Sequence, residues 1–177
     1  VSEMAEVYSA LIIHLWETLF AAEGKPDGIW FYEDMGFKGR PFMSPEMYRE
    51  LIMPAHRKTI DFAHSLGLPV VMHSCGVVEP LLPYMVEAGI DCLQAMEVKA
   101  GMDLLRIYRD FGEKIALMGG LDVRPVANND LPGIRRELET RIPVVKGRNG
   151  FILHSDHSIP ESAEYESYRY FLETGLE

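Results

Sequence analysis

The sequence predicts an α/β protein built on a parallel β-sheet. Apolar segments of strand length alternate with amphipathic segments of helix length five times along the chain, with short connections between them. This is the pattern of repeated β/α units. A helix precedes the first unit and has no strand ahead of it. The pattern fits an open five-stranded sheet. It also fits the C-terminal five units of a (β/α)8 TIM barrel, because a complete barrel needs eight units and about 250 residues.

Hydrophobic spacing and turn residues place the individual elements. Residues 1–23 have apolar side chains at helical spacing and end at Gly24, which predicts an amphipathic helix. Ser44, Pro45 and Glu46 form a strong helix start, and this helix should run to about residue 65 with a kink at Pro54. Further helices are expected over residues 78–87, 103–111, 131–145 and 161–176, strands over 28–34, 69–73, 90–96, 114–120 and 150–154, and a loop over 35–42.

Composition excludes several classes of protein. The net charge is −10 and no block of basic residues occurs, which argues against a surface that binds nucleic acid. Two cysteines do not form a disulfide framework, so a reducing, cytoplasmic location is expected. The apolar run near the start contains His14 and Glu17 and is too short and too polar to cross a membrane. We expect residues 1–177 to form one domain.

The most informative stretch is residues 69–76, in which an apolar strand leads into His73, Cys75 and Gly76. In α/β folds the carboxyl ends of parallel strands carry the chemistry. Residues i and i+2 of an extended segment point to the same side, so His73 and Cys75 can reach one point in space. An imidazole and a thiolate at one point favour zinc.

The carboxyl ends of the other predicted strands also carry polar residues. Together with His73 and Cys75, these strand ends supply Glu33, Asp34, Gln94, Glu97, Asp122, His154, Asp156 and His157. The opposite strand ends supply only Asp27, Lys114 and Arg148. Because ionisable groups are costly to bury, this asymmetry predicts an active site at one end of the sheet.

Each candidate also has a purely structural interpretation. A cysteine such as Cys75 is often a small buried apolar residue, and Cys92 should be one. His157 could be a turn residue and Glu97 a helix cap. Glu33 and Asp34 could simply anchor the loop that follows their strand. The methionines near strand ends could line an apolar pocket; these are Met35, Met72, Met96 and Met118.

Several motifs at these positions resemble the uroporphyrinogen decarboxylase superfamily, in particular its cobalamin-associated methyltransferase branch. The matching segments lie at residues 32–36, 44–49, 73–76, 79–82, 87–91, 118–122 and 154–160. The resemblance implies a (β/α)8 barrel, of which this chain would be the C-terminal five units. The family's first three units, with the arginine-rich segment that grips porphyrin carboxylates in decarboxylases, have no counterpart in the sequence.

The methyltransferase branch also implies a zinc site. In that branch H-x-C provides two zinc ligands, matched by His73 and Cys75, and a cysteine of the last βα loop provides a third. His157 occupies that third position here, as a histidine does in decarboxylases. The related cobalamin-independent methionine synthases have a glutamate ligand at a comparable distance after H-x-C, which favours Glu97 as the fourth ligand.

The activity that this resemblance implies is zinc-dependent methyl transfer between a small methylated substrate and a corrinoid carried by a partner protein. Asp34, Asp122 and Asp156 are the candidate catalytic residues, as proton donors or as groups that orient the ligands. The candidate substrate-binding residues are Glu33, Gln94, Met96 and His154.

Two alternatives remain open from the sequence. One is a metal-independent uroporphyrinogen decarboxylase, and the other is a truncated barrel without catalytic activity. An open half-barrel exposes edge strands and an apolar interior, so we also expect the chain to form a homo-oligomer.

Overall fold

The computed structural model of the protein describes residues 1–147 and 150–177, so the predicted position of Arg148 at the far end of the sheet lies outside the described residues. The helices are α1 (Ser2–Glu23), α2 (Pro45–Met47), α3 (Met53–Ser65), α4 (Leu82–Ala88), α5 (Leu104–Phe111), α6 (Arg124–Ala127), α7 (Leu131–Val145) and α8 (Tyr165–Leu176). The strands are β1 (Ile29–Tyr32), β2 (Gly36–Phe37), β3 (Arg40–Pro41), β4 (Val70–Ser74), β5 (Cys92–Ala95), β6 (Ala116–Gly119) and β7 (Phe151–Ile152).

The main sheet has five parallel strands in the order β1-β4-β5-β6-β7, which confirms the predicted α/β class. Strand pairing aligns one residue from each strand in a row across the sheet. One such row is Tyr32, His73, Gln94, Met118 and Ile152, and the row before it is Phe31, Met72, Leu93, Leu117 and Phe151. Because side chains alternate along a strand, the two rows face opposite sides of the sheet.

The two sides of the sheet differ in what covers them. Met72, Leu93 and Leu117 are at most 1% exposed and belong to the hydrophobic core beneath the helices. On the other side, Tyr32 at one edge is 79% exposed and Ile152 at the other edge is 45% exposed. The helices therefore cover one side of the sheet, as they cover the outside of a barrel. Within the described residues, the side that would face a barrel interior is open at both edge strands.

The predicted helix over residues 44–65 is present, but it is not α-helical throughout. The Ser44 hydroxyl accepts a hydrogen bond from the Met47 amide at 3.2 Å and caps its start, as predicted. A π-helical segment, Tyr48–Ile52, follows, and the Met53 amide bonds to the Tyr48 carbonyl five residues back. Pro54 lacks the N–H that would continue the α-helical pattern, so the predicted irregularity takes the form of one wide turn.

Other element boundaries differ from the predictions. The predicted loop 35–42 contains the short hairpin β2-β3, and the last strand is only two residues long. The last helix begins at Tyr165 because Glu164 is extended and its amide bonds to the Asn129 side chain at 2.8 Å. Helix α6 was not predicted; it begins where the Asp122 carboxylate accepts a hydrogen bond from the Arg124 amide at 2.9 Å.

The first helix is present as predicted, but its apolar stripe does not face the core of the described residues. The stripe residues are 48–67% exposed: Met4, Val7, Tyr8, Leu11, Leu15 and Leu19. The helix packs instead through Trp16, whose ring lies 5.6 Å from that of Phe31 and 6.1 Å from that of Phe62. Within the described part of the chain, no helix combines the length and the hydrophobicity that crossing a membrane would need.

Candidate metal centre

His73 and Cys75 lie together at the carboxyl end of β4. His73 belongs to the row of residues on the open side of the sheet, and Cys75 comes directly after the strand. The Cys75 Sγ atom is 3.4 Å from the His73 Nε2 atom. The i and i+2 spacing thus brings the imidazole and the thiol to one point, as the sequence predicted.

Asp34 is the third group at this point. It follows β1, which is the neighbour of β4 in the sheet. One Asp34 carboxylate oxygen accepts a hydrogen bond from the Cys75 amide at 2.8 Å and lies 3.3 Å from His73 Nε2. Potential ligand atoms of Asp34, His73 and Cys75 all lie within 4.8 Å of one another. A residue predicted as catalytic is therefore grouped with the two predicted ligands.

Two glycines allow the loops that carry Asp34 and Cys75 to touch. Gly36 packs on the backbone of Cys75 and Gly76, and Gly76 packs on the backbone of Gly36, so a Cβ atom at either position would overlap the other loop. Gly76 also has a φ of +73°, which other residues rarely adopt. The Phe37 carbonyl accepts the Val77 amide at 2.9 Å, and this bond ties the two loops together.

Gln94 contacts the other nitrogen of the same imidazole. It lies beside His73 in the row across β4 and β5, and its side-chain oxygen is hydrogen-bonded to His73 Nδ1. The Gln94 residue is only 5% exposed. This residue was predicted to bind substrate, and the structure places its polar group on a candidate ligand.

Glu97 and His157, the other two predicted ligands, are near the cluster but are not members of it. One Glu97 oxygen accepts the Gly76 amide at 2.8 Å, and the other is 3.4 Å from the Lys99 ammonium. His157 lines the open cleft beside the cluster, together with His154. Within the described residues, the compact ligand set is thus Asp34 with His73 and Cys75.

Asp122 and Asp156 have their oxygens engaged elsewhere. The two Asp156 oxygens accept the amides of Val98 and Val123, each at 2.8 Å. Burial raises the pKa of Asp156, which is 1% exposed. Burial alone would also raise the pKa of Asp122, but hydrogen bonds from Arg124 outweigh it and lower that pKa. The Asp156 carboxylate thus joins its own loop to two neighbouring loops, whereas the Asp122 carboxylate bonds within its own loop.

The remaining predicted site residues are spread over three environments. His154 lines the cleft. Glu33 points to the helix side of β1, where its carboxylate is 3.8 Å from His56 Nε2. There it lines a different cavity, which lies beneath α1. Met96 is 1% exposed and belongs to the hydrophobic core. Of the methionines expected to line a pocket, Met35 and Met72 are core residues as well.

An aromatic wall of the cleft consists of residues that were not among the predicted site residues. The cleft has a volume of about 280 Å³ and includes Trp30 and Tyr32 of β1 in its lining. The Trp30 and Tyr32 rings stack 6.1 Å apart, and the Tyr32 ring lies 5.0 Å from the His73 ring. The alternation of side chains along β1 could have identified these two residues. Trp30 and Tyr32 lie on the same side of the sheet as His73 on β4.

The electrostatic environment of the cluster keeps the Cys75 thiol protonated. Burial raises its pKa, and the negative charges of Asp34 and Glu97 raise it further. A thiol in this setting becomes a thiolate when a cation compensates the charge. The Cys75 thiol therefore stays protonated near neutral pH unless a nearby cation compensates the charge of the thiolate.

Comparisons with known proteins agree with the resemblance seen in the sequence. The model of the family described as uroporphyrinogen decarboxylase (URO-D) matches residues 35–176. A methylated-thiol–coenzyme M methyltransferase of Methanosarcina mazei is 32% identical over 93 residues, which are 51% of this chain and 23% of that protein.

Two solved structures share the fold. A methyltransferase from Methanosarcina mazei superposes with a TM-score of 0.65 at 19% identity, over 99% of this chain and 46% of that one. A structure described as a Xaa-Pro dipeptidase with bound methionine in the active site superposes with a TM-score of 0.51 at 11% identity, over 94% and 43% of the two chains. This chain thus spans less than half of each solved structure. The likeness supports the predicted partial barrel, and the family match assigns the chain to the uroporphyrinogen decarboxylase family.

Proposed function

We propose that the chain forms the metal-bearing part of a methyltransferase, which moves a methyl group between a small methylated substrate and a corrinoid held by a partner protein. The single observation that carries the proposal is the cluster of Asp34, His73 and Cys75 at the carboxyl end of the sheet. A porphyrinogen decarboxylase has no need of a thiol and an imidazole at one point. The similarity to a methyltransferase over 93 residues also supports methyl transfer as the activity.

The donor set fits zinc. A thiolate, an imidazole and a carboxylate are the three ligand types that zinc takes in proteins, and three protein ligands leave a fourth position for a substrate atom. His73 and Cys75 line the open cleft, and Asp34 lies next to both of them. Bound zinc would supply a Lewis acid that lowers the pKa of a coordinated thiol or polarises an ether oxygen.

The residues of the chain have separate tasks in this proposal. Cys75 and Asp34 provide negative charge, and His73 is oriented by Gln94 on its far side. Trp30 and Tyr32 give the cleft an apolar wall against which a methyl or methylthio group can pack. The curated relative is named for methylated thiols and coenzyme M. We therefore place a small methylated thiol in the cleft and the corrinoid protein at its open side.

Zinc titration of the purified 177-residue chain tests the proposal. We expect one zinc ion per chain, and we expect Cys75→Ser to abolish its binding. Cys92→Ser is the matched control, because Cys92 is the other cysteine, is buried on β5 and is not a member of the cluster found among the described residues. Equal zinc content in the Cys75→Ser and Cys92→Ser proteins would refute the site.

A second assay addresses the reaction. The zinc-loaded chain is incubated with methylcobalamin and coenzyme M, and methylation of the thiol is followed by the loss of the methylcobalamin absorbance. We expect turnover that Cys75→Ser removes and Cys92→Ser retains. Conversion of uroporphyrinogen to coproporphyrinogen by the metal-free chain would instead establish the decarboxylase alternative.

A further inference from the structure

We propose that Gln94 is a positioning residue that selects the tautomer of His73 and thereby makes its Nε2 atom available to a metal. This inference rests on the proposed function, because it assigns a task within the same site. It replaces the expectation that Gln94 binds substrate. The observation behind it is that the two nitrogens of His73 contact two different kinds of group.

One nitrogen, Nε2, faces the cluster. It is 3.4 Å from Cys75 Sγ and 3.3 Å from an Asp34 carboxylate oxygen. For this nitrogen to act as a metal ligand it must present a lone pair, so the ring proton of a neutral imidazole must be on the other nitrogen. The Asp34 carboxylate works against this arrangement in the metal-free protein, because it attracts a proton to Nε2.

The other nitrogen, Nδ1, faces the Gln94 side-chain oxygen. An amide oxygen only accepts hydrogen bonds, so it requires a proton on Nδ1. Gln94 is 5% exposed, and β5 holds it directly beside His73 in the sheet. Solvent water therefore does not readily replace the Gln94 oxygen as the partner of Nδ1. Gln94 therefore opposes the pull of Asp34 and holds the lone pair at Nε2, as hydrogen-bond partners of metal-bound histidines commonly do.

Proton-detected ¹⁵N NMR of the metal-free chain reads the tautomer directly. In the wild-type protein we expect His73 to carry its proton on Nδ1. In Gln94→Leu, which removes the acceptor and keeps a similar volume, we expect the proton to move to Nε2, where Asp34 accepts it. Gln94→Glu retains an acceptor and should restore the Nδ1 proton. Cys92→Ala is the control, because Cys92 lies two residues earlier on the same strand and is 4% exposed.

Zinc affinity provides the second measurement. We expect Gln94→Leu to bind zinc about 10- to 100-fold more weakly than wild type, the range found for residues that support a ligand, and Gln94→Glu to bind within a few-fold of it. Melting curves of both variants check that the fold is intact. An Nδ1 proton that persists in folded Gln94→Leu, or wild-type zinc affinity in that variant, would overturn the assignment. If the wild-type chain binds no zinc, the proposed function fails, while the tautomer measurement still decides the role of Gln94.

Discussion

The carboxyl ends of β1 and β4 differ from those of β6 and β7 in what their polar residues do. At the first pair, Asp34, His73 and Cys75 turn potential ligand atoms toward one another. At the second pair, Asp122 forms an ion pair with Arg124, and Asp156 accepts two backbone amides. All of these residues lie at or just beyond the carboxyl ends of parallel strands in one sheet. The three aspartates were equivalent candidates in the sequence, since all three were predicted to be catalytic.

The difference lies in how much hydrogen-bonding capacity each side chain has left. Both oxygens of Asp156 are engaged by buried or half-buried backbone groups, so this carboxylate joins three βα loops to one another. One Asp34 oxygen accepts a single amide, and its side chain is 62% exposed. The side chain of a polar residue at a strand end is free to bind a ligand when other groups form the hydrogen bonds that the surrounding backbone needs.

The largest effect is expected from exchanging the two carboxylates for amides and comparing zinc affinity. Asp34→Asn should weaken zinc binding by more than about 100-fold, because it removes a charged ligand rather than a group that supports one. Asp156→Asn should leave the zinc affinity of the folded protein within a few-fold of wild type. Competition with a chromogenic chelator measures both. Equal losses in the two variants would show that the two regions do not differ in this way.

Stability should respond in the opposite order. Asn at position 156 has one acceptor oxygen and one amide nitrogen, so the amide of Val98 or of Val123 loses its partner. We expect a loss of about 1–3 kcal/mol in the free energy of unfolding, the cost of a buried unsatisfied group. Asp34→Asn should change it by less than about 1 kcal/mol, since the Asp34 side chain is exposed. Urea unfolding at neutral pH measures both variants, and a stability loss confined to Asp34→Asn would contradict the scaffold role of Asp156.

The features that the sequence predicted correctly are those set by local geometry or by family motifs. The alternation of strands and helices predicted the parallel sheet, and H-x-C spacing predicted that His73 and Cys75 meet, since both follow from the local geometry of a strand. The family motifs pointed to the superfamily that the comparisons then confirmed.

Long-range contacts account for what the sequence did not reveal. Whether Asp34 or Glu97 joins the cluster depends on the crossing of two loops at Gly36 and Gly76, which no local pattern encodes. The helix-forming periodicity of α1 was predicted, but the surface that its apolar stripe covers was not, because the stripe faces away from the described core. Gln94 acquires its contact with His73 only through strand register.

The smallest expected effect concerns the two thiols of the metal-free chain. Burial raises the pKa of Cys92 to about 11, and it is 4% exposed, so iodoacetamide should modify it only after unfolding. Cys75 is accessible, but its raised pKa means that its alkylation rate should still rise with pH above the ordinary cysteine pKa of about 8.5, where the rate of a typical thiol begins to level off. Asp34→Asn removes a negative charge that raises this pKa, so the thiolate fraction at pH 8 and the alkylation rate should both increase. Asp122→Asn serves as the matched control and should leave the rate unchanged, because the Asp122 carboxylate is paired with Arg124 and is not a member of the cluster. Peptide mass spectrometry distinguishes the two sites, and an Asp34→Asn rate equal to wild type would show that the Asp34 carboxylate does not act on the thiol.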